Sequence, residues 1–207
     1  WRQVSVNHRE CLGASRCAHA LECFAELARE DAHSAQVVVT NHALLAIDAI
    51  DGVPMLPEYD AVVVDEAHEL AARVTQASTD ELDPVIVERA ARRARARISS
   101  GEGDDLTDAS DALADILART EAARIDDLPQ PLHAVLSLVR DSARACLSAF
   151  PKEDKGEPDA ALQQAKGMVD DVRKIAERMA AKIETDVLWI SDNRGNKQLH
   201  IAPIDVS

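Results

Sequence analysis

The segment Tyr59-Asp-Ala-Val-Val-Val-Asp-Glu-Ala-His68 joins an apolar, β-branched run to a pair of adjacent carboxylates. Its residues 61–64 predict a short buried strand, and Gln36-Val-Val-Val-Thr40 predicts a second one. A helix is expected between them, over Ala43–Ile50. Short, wholly apolar strands that are separated by a helix are typical of a buried parallel sheet. The sequence therefore predicts an α/β region over residues 36–73.

The carboxylates of this segment, Asp65 and Glu66, are the first candidates for chemistry. Polar side chains at the carboxyl end of a buried strand lie where α/β sheets bind ligands. An aspartate there can hold Mg²⁺, commonly through water, and a neighbouring glutamate can polarise an attacking water. The alternative is a polar strand end that caps the next helix. The four residues Asp65 to His68 are a weak signal by themselves, and the strand predicted before them strengthens it.

Residues 74–185 are predicted to be helical, because apolar residues recur there at helical spacing. The clearest stripe follows Pro131 and consists of Leu132, Val135, Leu136, Val139, Ala143, Cys146, Leu147 and Phe150. A second stripe consists of Leu162, Val169, Val172, Ile175, Met179 and Ile183. Each apolar stripe needs a partner surface, which predicts a helical bundle.

From Val187 onward the helical spacing ends. Leu188-Trp-Ile190 and Leu199–Ile201 flank a turn over Asp192–Gly195, which predicts a β-hairpin. The sequence as a whole predicts a mixed α/β fold that is mostly α, in which a helical bundle is attached to part of a parallel-sheet domain.

Composition and charge narrow the class of protein. Aromatic residues make up only 2% of the 207 residues, so the core must consist of Ala, Leu, Val and Ile. The net charge of −14 argues mildly against a large DNA-binding face. No apolar run approaches the roughly 20 residues that span a bilayer, and no export signal is visible. We expect a soluble, cytoplasmic protein without membrane contact, whose chain is cut at both Trp1 and Ser207.

Three thiols at equal spacing, Cys11, Cys17 and Cys23, are candidate metal ligands. Such a triplet can wrap an iron–sulfur cluster or a zinc ion, although a cluster generally takes four cysteinates. The histidines near enough in sequence to complete a Cys3His zinc site are His8, His19 and His33. The alternative is a set of unrelated core or loop cysteines. Cys146 lies on an apolar stripe and is expected to pack as a small buried hydrophobe.

A run of arginines has two interpretations of equal weight. Arg89, Arg93 and Arg97 recur every four residues and predict one basic helix stripe, flanked by Arg92 and Arg95. The stripe could follow a DNA backbone through phosphate contacts. It could equally be a solvated face that balances the acidic loop after it.

The motifs occur in the order found in bacterial DinG-type helicases, which are relatives of XPD. The matching segments are Cys11-Leu-Gly-Ala-Ser-Arg-Cys17, Cys23-Phe-Ala-Glu26, Val37-Val-Val-Thr-Asn-His-Ala-Leu-Leu45, Tyr59–His68 and Leu199-His-Ile-Ala-Pro-Ile-Asp-Val206. The resemblance is strong over residues 9–70 and moderate over 196–207, with little more than helical character between. It implies an ATP-dependent, 5′-to-3′ DNA helicase that acts as a monomer on single-stranded DNA in repair or replication.

The resemblance also implies a domain plan. Residues 1–35 would be part of the iron–sulfur region, and residues 36–73 part of the first RecA-like motor domain. Residues 74–185 would form the helical Arch-like domain, and residues 186–207 a hairpin that leads into the second motor domain.

Residue roles follow from the same resemblance. Asp65 and Glu66 would be the Walker B pair that binds Mg²⁺ and ATP, with Glu66 orienting the attacking water and His68 coupling hydrolysis to domain closure. Thr40, Asn41 and His42 match a family motif near the DNA path. Cys11, Cys17 and Cys23 would be three ligands of a [4Fe–4S] cluster whose fourth cysteine is expected upstream of Trp1. The cluster is therefore expected to be incomplete or absent in this chain.

One motif of a complete nucleotide site is absent from these 207 residues. No G-x-x-x-x-G-K-[ST] phosphate loop occurs, so we expect the chain by itself not to hydrolyse ATP. Two rival functions stay open: a zinc-organised helical interaction module without ATPase activity, and a non-motor nucleic-acid binder that uses the basic helix alone.

Overall fold

The structure is a computed structural model that describes residues 11–15, 17–51, 55–152, 159–181 and 184–204. The chain divides into two compact units. Residues 13–79 form most of one, here called the N-terminal unit, and residues 80–201 form most of the other, here called the helical unit. Predictions that involve His8, Ile183 or Val206 lie outside the described residues.

In its described residues the N-terminal unit contains three α-helices: α1 (Phe24–His33), α2 (His42–Asp51) and α3 (Leu70–Ala77). Helix α2 confirms the helix predicted over residues 43–50. It begins after Asn41, whose side-chain Oδ1 accepts a hydrogen bond at 2.8 Å from the backbone N–H of Leu44. This contact satisfies one of the N–H groups that a helix start leaves without an intrahelical partner.

The two predicted parallel strands are wrong. Residues 37–40 and 61–64 have no regular secondary structure. Val37, Val39 and Val63 expose 79%, 92% and 97% of their surface, where a buried sheet would cover them. A parallel strand forms only when a neighbouring strand pairs with it and helices cover its faces. Among the described residues, no strand pairs with either segment.

The described part of the helical unit contains four long helices: α4 (Pro84–Arg95), α5 (Glu102–Arg119), α6 (Gln130–Ala149) and α7 (Ala160–Ala181). The two predicted apolar stripes lie on α6 and α7 and are confirmed. Each of their described residues is buried except Leu147, which is half-buried. Asp83 caps α4, because its Oδ1 accepts from the Ile86 N–H at 2.7 Å, and Pro84 occupies the first turn. The fold is mixed and mostly helical, as predicted.

A four-stranded antiparallel sheet completes the helical unit, in the order β1-β4-β3-β2. Its strands are β1 (Asp80–Leu82), β2 (Arg124–Ile125), β3 (Asp186–Asn193) and β4 (Asn196–Pro203). Strands β3 and β4 confirm the predicted hairpin. Arg194 and Gly195 both have positive φ, 57° and 88°, as a two-residue type I′ turn requires. Strands β1 and β2 lie within residues predicted to be helical, and that prediction is wrong for these short segments.

A partly buried ion cluster joins β1, α7 and the β3–β4 hairpin. Arg178 on α7 donates two hydrogen bonds to Asp186, at 3.2 and 2.7 Å, and one to Asp80 at 2.6 Å. The Asp186 side chain is only 4% exposed. Its two hydrogen bonds with Arg178 raise the pKa of the guanidinium above its ordinary value, against the effect of burial. The cluster therefore ties three elements that are distant in sequence.

Candidate functional site

The acidic segment lies in a loop directly before a short 3-10 helix, Ala67–Glu69. Asp65 and Glu66 are both exposed, and the Oδ1 of Asp65 accepts the backbone N–H of Glu66 at 3.0 Å. Glu66 has φ 47° and ψ 45°, a left-handed conformation that is uncommon for a residue other than glycine. Such backbone strain is found preferentially at functional sites. The strand predicted before this segment is absent, so its support for the site is lost.

His68 lies beside the same glutamate. Its Nδ1 is 3.3 Å from the Oε2 of Glu66, and both side chains are exposed. The pair is an ion pair only when the imidazole is protonated. The geometry therefore keeps His68 and Glu66 within reach of one another at the surface of the unit.

His42 links the two motifs of the N-terminal unit. Its Nε2 lies 2.8 Å from the backbone carbonyl oxygen of Asp65. Its neighbour Asn41 caps α2, and Thr40 is exposed. The family resemblance implied a position of His42 near a DNA path, but nothing in the sequence pointed to this contact with the acidic segment. Contacts between residues so far apart in sequence leave no signal in spacing or periodicity.

The cysteine triplet offers donor atoms that suit a metal site. Cys17 and Cys23 belong to the N-terminal unit, whereas Cys11 belongs with the residues of the helical unit. All three are free thiols of intermediate exposure. In the part of the chain that the structure describes, no three His, Cys, Asp or Glu side chains are grouped as the ligands of one metal ion would be. Thiolate donors suit either an iron–sulfur cluster or a zinc ion, and the metal site stays a prediction.

Cys146 behaves as predicted for a core residue. It is fully buried on α6, and its Sγ lies 3.0 Å from the backbone carbonyl oxygen of Glu102. Burial, with a smaller contribution from the charge of Glu102, raises the pKa of the thiol to about 11. A neutral thiol of this kind is inert towards electrophiles.

The arginine run is not one helix stripe. Arg89 and Arg93 lie on α4, but α4 ends at Arg95, so Arg97 lies beyond it. Arg97 pairs with Asp159 at 2.9 Å. The sequence spacing of four was therefore a correct guide to Arg89 and Arg93 and a misleading one for Arg97.

Known relatives identify the type of protein. All of the chain aligns, at 38% identity over 217 positions, with the ATP-dependent helicase DinG of Mycobacterium tuberculosis. Over its whole length the chain is similar to one segment of the DinG-type helicases. It spans 33% of the length of that relative, and it matches the DinG of Mycobacterium bovis to the same extent.

More distant DinG-type relatives match over part of the chain. The ATP-dependent DNA helicase YoaA of Escherichia coli is 39% identical over 74 residues, which are 34% of this chain and 12% of that protein. A scan against models of protein families finds no match. In the described residues of the chain, no helix has the length and apolarity needed to cross a bilayer.

Proposed function

We propose that the full-length parent of this DinG-type segment is a cytoplasmic, ATP-dependent DNA helicase. It would move 5′ to 3′ along single-stranded DNA, as a monomer, in repair or replication. The observation that carries the proposal is the similarity over the whole chain to DinG helicases, rather than over one motif. Residues 36–73 would then belong to the first RecA-like motor domain, and residues 74–185 to an Arch-like domain.

The acidic segment would serve ATP hydrolysis. Asp65 would hold Mg²⁺ through water, because a carboxylate is the preferred type of ligand for this ion. Glu66 would orient the water that attacks the γ-phosphate, since its exposed carboxylate follows Asp65 directly. His68 lies 3.3 Å from Glu66 and would respond to the charge that develops there. It would thereby couple ATP hydrolysis to closure of the motor domains. The phosphate-binding loop must come from another part of the parent.

The cysteines would bind metal only in the parent protein. Cys11, Cys17 and Cys23 would supply three thiolates, and a fourth cysteine elsewhere in the parent would complete a [4Fe–4S] cluster. The thiol chemistry supports this assignment. Iron and sulfide analysis of the anaerobically purified parent tests it: about four irons per chain is the expected result. Loss of iron in Cys17→Ser is also expected, and bound zinc without iron would contradict the assignment.

The experiment that tests the motor role compares two substitutions in one segment. In the full-length parent, Glu66→Gln should abolish ATP hydrolysis with and without single-stranded DNA, because the amide cannot act as the water-orienting base. DNA binding should persist. The matched control is Glu69→Gln, which removes a carboxylate three positions later that pairs only weakly with Arg73, at 3.6 Å.

Three outcomes decide the assignment. Turnover lost in Glu66→Gln but kept in Glu69→Gln supports the role of Glu66. If both variants keep the ATP turnover of the parent, Glu66 takes no part in the reaction. A parent that hydrolyses no ATP at all, with its metal content intact, overturns the helicase proposal and favours the zinc-organised interaction module.

A further inference from the structure

The arginines around α4 separate into two sets by their contacts. Arg95 pairs with Glu88 at 3.0 Å and approaches Asp104 at 3.4 Å. Arg97 pairs with Asp159, whose other carboxylate oxygen accepts two backbone N–H groups at the start of α7. The side chains of Arg95 and Arg97 are therefore held in ion pairs within the helical unit.

The second set consists of Arg89, Arg92 and Arg93, here called the arginine triad. The core-facing side of α4 is formed by Val87, Ala90, Ala91 and Ala94. The spacings i, i+3 and i, i+4 place Arg92 and Arg93 each about 5–6 Å from Arg89 at Cβ, on the side away from this core. Arg92 and Arg93 are exposed, and Arg89 is half-buried. Among the described residues no carboxylate pairs with any of the three, and the buried Nε of Arg89 has no hydrogen-bond partner.

This arrangement of like charges carries a cost in stability for the helix. Like charges at i, i+3 and i+4 destabilise a helix by roughly 0.2–0.5 kcal/mol per pair. The chain has 37 acidic residues against 23 basic ones, so acids to neutralise the triad are plentiful. The helix dipole favours Arg92 and Arg93 in the last turn of α4, but it does not account for Arg89, one turn earlier.

We propose that the arginine triad binds the phosphodiester backbone of single-stranded DNA. Guanidinium groups match phosphate oxygens with two parallel hydrogen bonds, and they are more weakly hydrated than ammonium groups. Contacts to phosphate carry no base information, so the surface binds without sequence preference. DNA is favoured over an acidic protein because relatives of this chain are named DNA helicases. The choice of DNA rests on the proposed function, whereas the sorting of the arginines does not.

The test is a comparison of charge-matched variants of the full-length protein. Arg92→Ala/Arg93→Ala removes two charges from the triad, and Arg95→Ala/Arg97→Ala removes two charges that are internally paired. Binding of a fluorescent single-stranded oligonucleotide of mixed sequence is measured by anisotropy over a range of salt concentrations. Each lost phosphate contact lowers the slope of log K against log[salt] by about 0.7 for single strands, so the triad variant should lose about 1.4. Its affinity at physiological salt should fall about tenfold.

The controls separate a binding role from a structural one. Arg95→Ala/Arg97→Ala should keep the parental salt slope even if its Tm falls, because those arginines contact protein acids. Arg92→Lys/Arg93→Lys should restore most of the slope, since the charge is retained. A parental slope in the triad alanine variant, or an equal loss of slope in both alanine variants, overturns the proposal. An acidic partner is tested with polyglutamate as a competitor of DNA. If the triad alanine variant no longer binds polyglutamate but keeps the parental salt slope for DNA, the proposal is overturned.

ATP hydrolysis by the same proteins distinguishes the two proposals. DNA-stimulated turnover in the parent together with an unchanged salt slope in the triad variant means that the arginine assignment alone fails. No turnover in the parent, together with a reduced slope in the triad variant, means that the helicase proposal fails and the DNA-binding triad stands.

Discussion

The imidazole Nε2 of His42 lies 2.8 Å from the backbone carbonyl oxygen of Asp65, a residue 23 positions later in the sequence. A carbonyl oxygen can only accept, so this nitrogen carries a proton and donates. The contact joins the first residue of α2 to the start of the acidic segment. A displacement of either segment therefore changes the environment of the other.

If the helicase proposal holds, His42→Ala in the full-length parent should weaken the effect of DNA on ATP turnover. A hydrogen bond of this kind contributes about 1 kcal/mol net, which corresponds to roughly a fivefold change. We expect DNA-stimulated turnover to fall by about that factor, and turnover without DNA to fall less. A steady-state ATPase assay measures both quantities. The control is His33→Ala at the exposed end of α1, and an equal effect of the two substitutions would remove the coupling role.

The cluster around Arg178 predicts a large loss of stability on substitution. Arg178→Met leaves the carboxylates of Asp80 and Asp186 without their guanidinium, and Asp186 is almost fully buried. Removal of one partner from a buried ion pair costs about 3 kcal/mol. Urea unfolding of this chain, followed by far-UV circular dichroism, measures the loss.

The same helix offers a control for this prediction. Arg173 also pairs with two carboxylates, but Asp170 is only half-buried and keeps Lys174 as a second partner, and Glu177 is exposed. Arg173→Met should therefore cost less than about 1 kcal/mol. Equal destabilisation by the two substitutions would mean that lost side-chain packing, rather than the buried carboxylates, explains the effect.

Local patterns predicted the helical unit well, because its elements are specified by residues near in sequence. The apolar stripes of α6 and α7 report one helix face each, and the turn at Arg194-Gly195 specifies the hairpin register. The predicted strands at residues 36–40 and 61–64 failed for the opposite reason. An apolar run becomes a parallel strand only if distant segments pair with it, and such pairing cannot be read from the run itself.

The candidate sites also differ in how far they depend on residues that are distant in sequence. Asp65 and Glu66 were identified from adjacent letters and from a family resemblance, and their role in ATP hydrolysis stays a prediction. The partners of Arg97 and Arg178 lie 62 and 98 residues away in sequence, at Asp159 and Asp80. Only the structure separates arginines that serve the fold from arginines that are available to a ligand.

The pKa of Cys146 predicts a dependence of stability on alkaline pH. Burial raises the pKa of this thiol from 9.0 to about 11 in the folded state. Its protonated form is favoured by folding, so the contribution to stability is complete below pH 9.0 and is lost as pH rises through about 11. Cys146→Ala should flatten the dependence of the free energy of unfolding on pH in this range. A thiol reagent at neutral pH should modify Cys146 only after denaturant is added, and rapid modification in the native state would contradict this.

Two glycines predict stability changes of opposite sign for the same substitution. Gly167 is exposed within α7, and a Cβ built there meets no atom within 4 Å. Gly167→Ala should therefore raise stability by roughly 0.5–1 kcal/mol, because alanine loses less conformational entropy in a helix. Gly103 is buried at the start of α5, where a Cβ would lie 2.5 Å from the Cγ of Arg95 and 3.2 Å from its backbone nitrogen.

Gly103→Ala should lower stability by about 1–3 kcal/mol, because the end of α4 must move to admit the methyl group. Thermal unfolding of the two variants beside the parent chain measures both effects. Stabilisation by Gly103→Ala would mean that α4 and α5 do not approach as closely as this at Arg95.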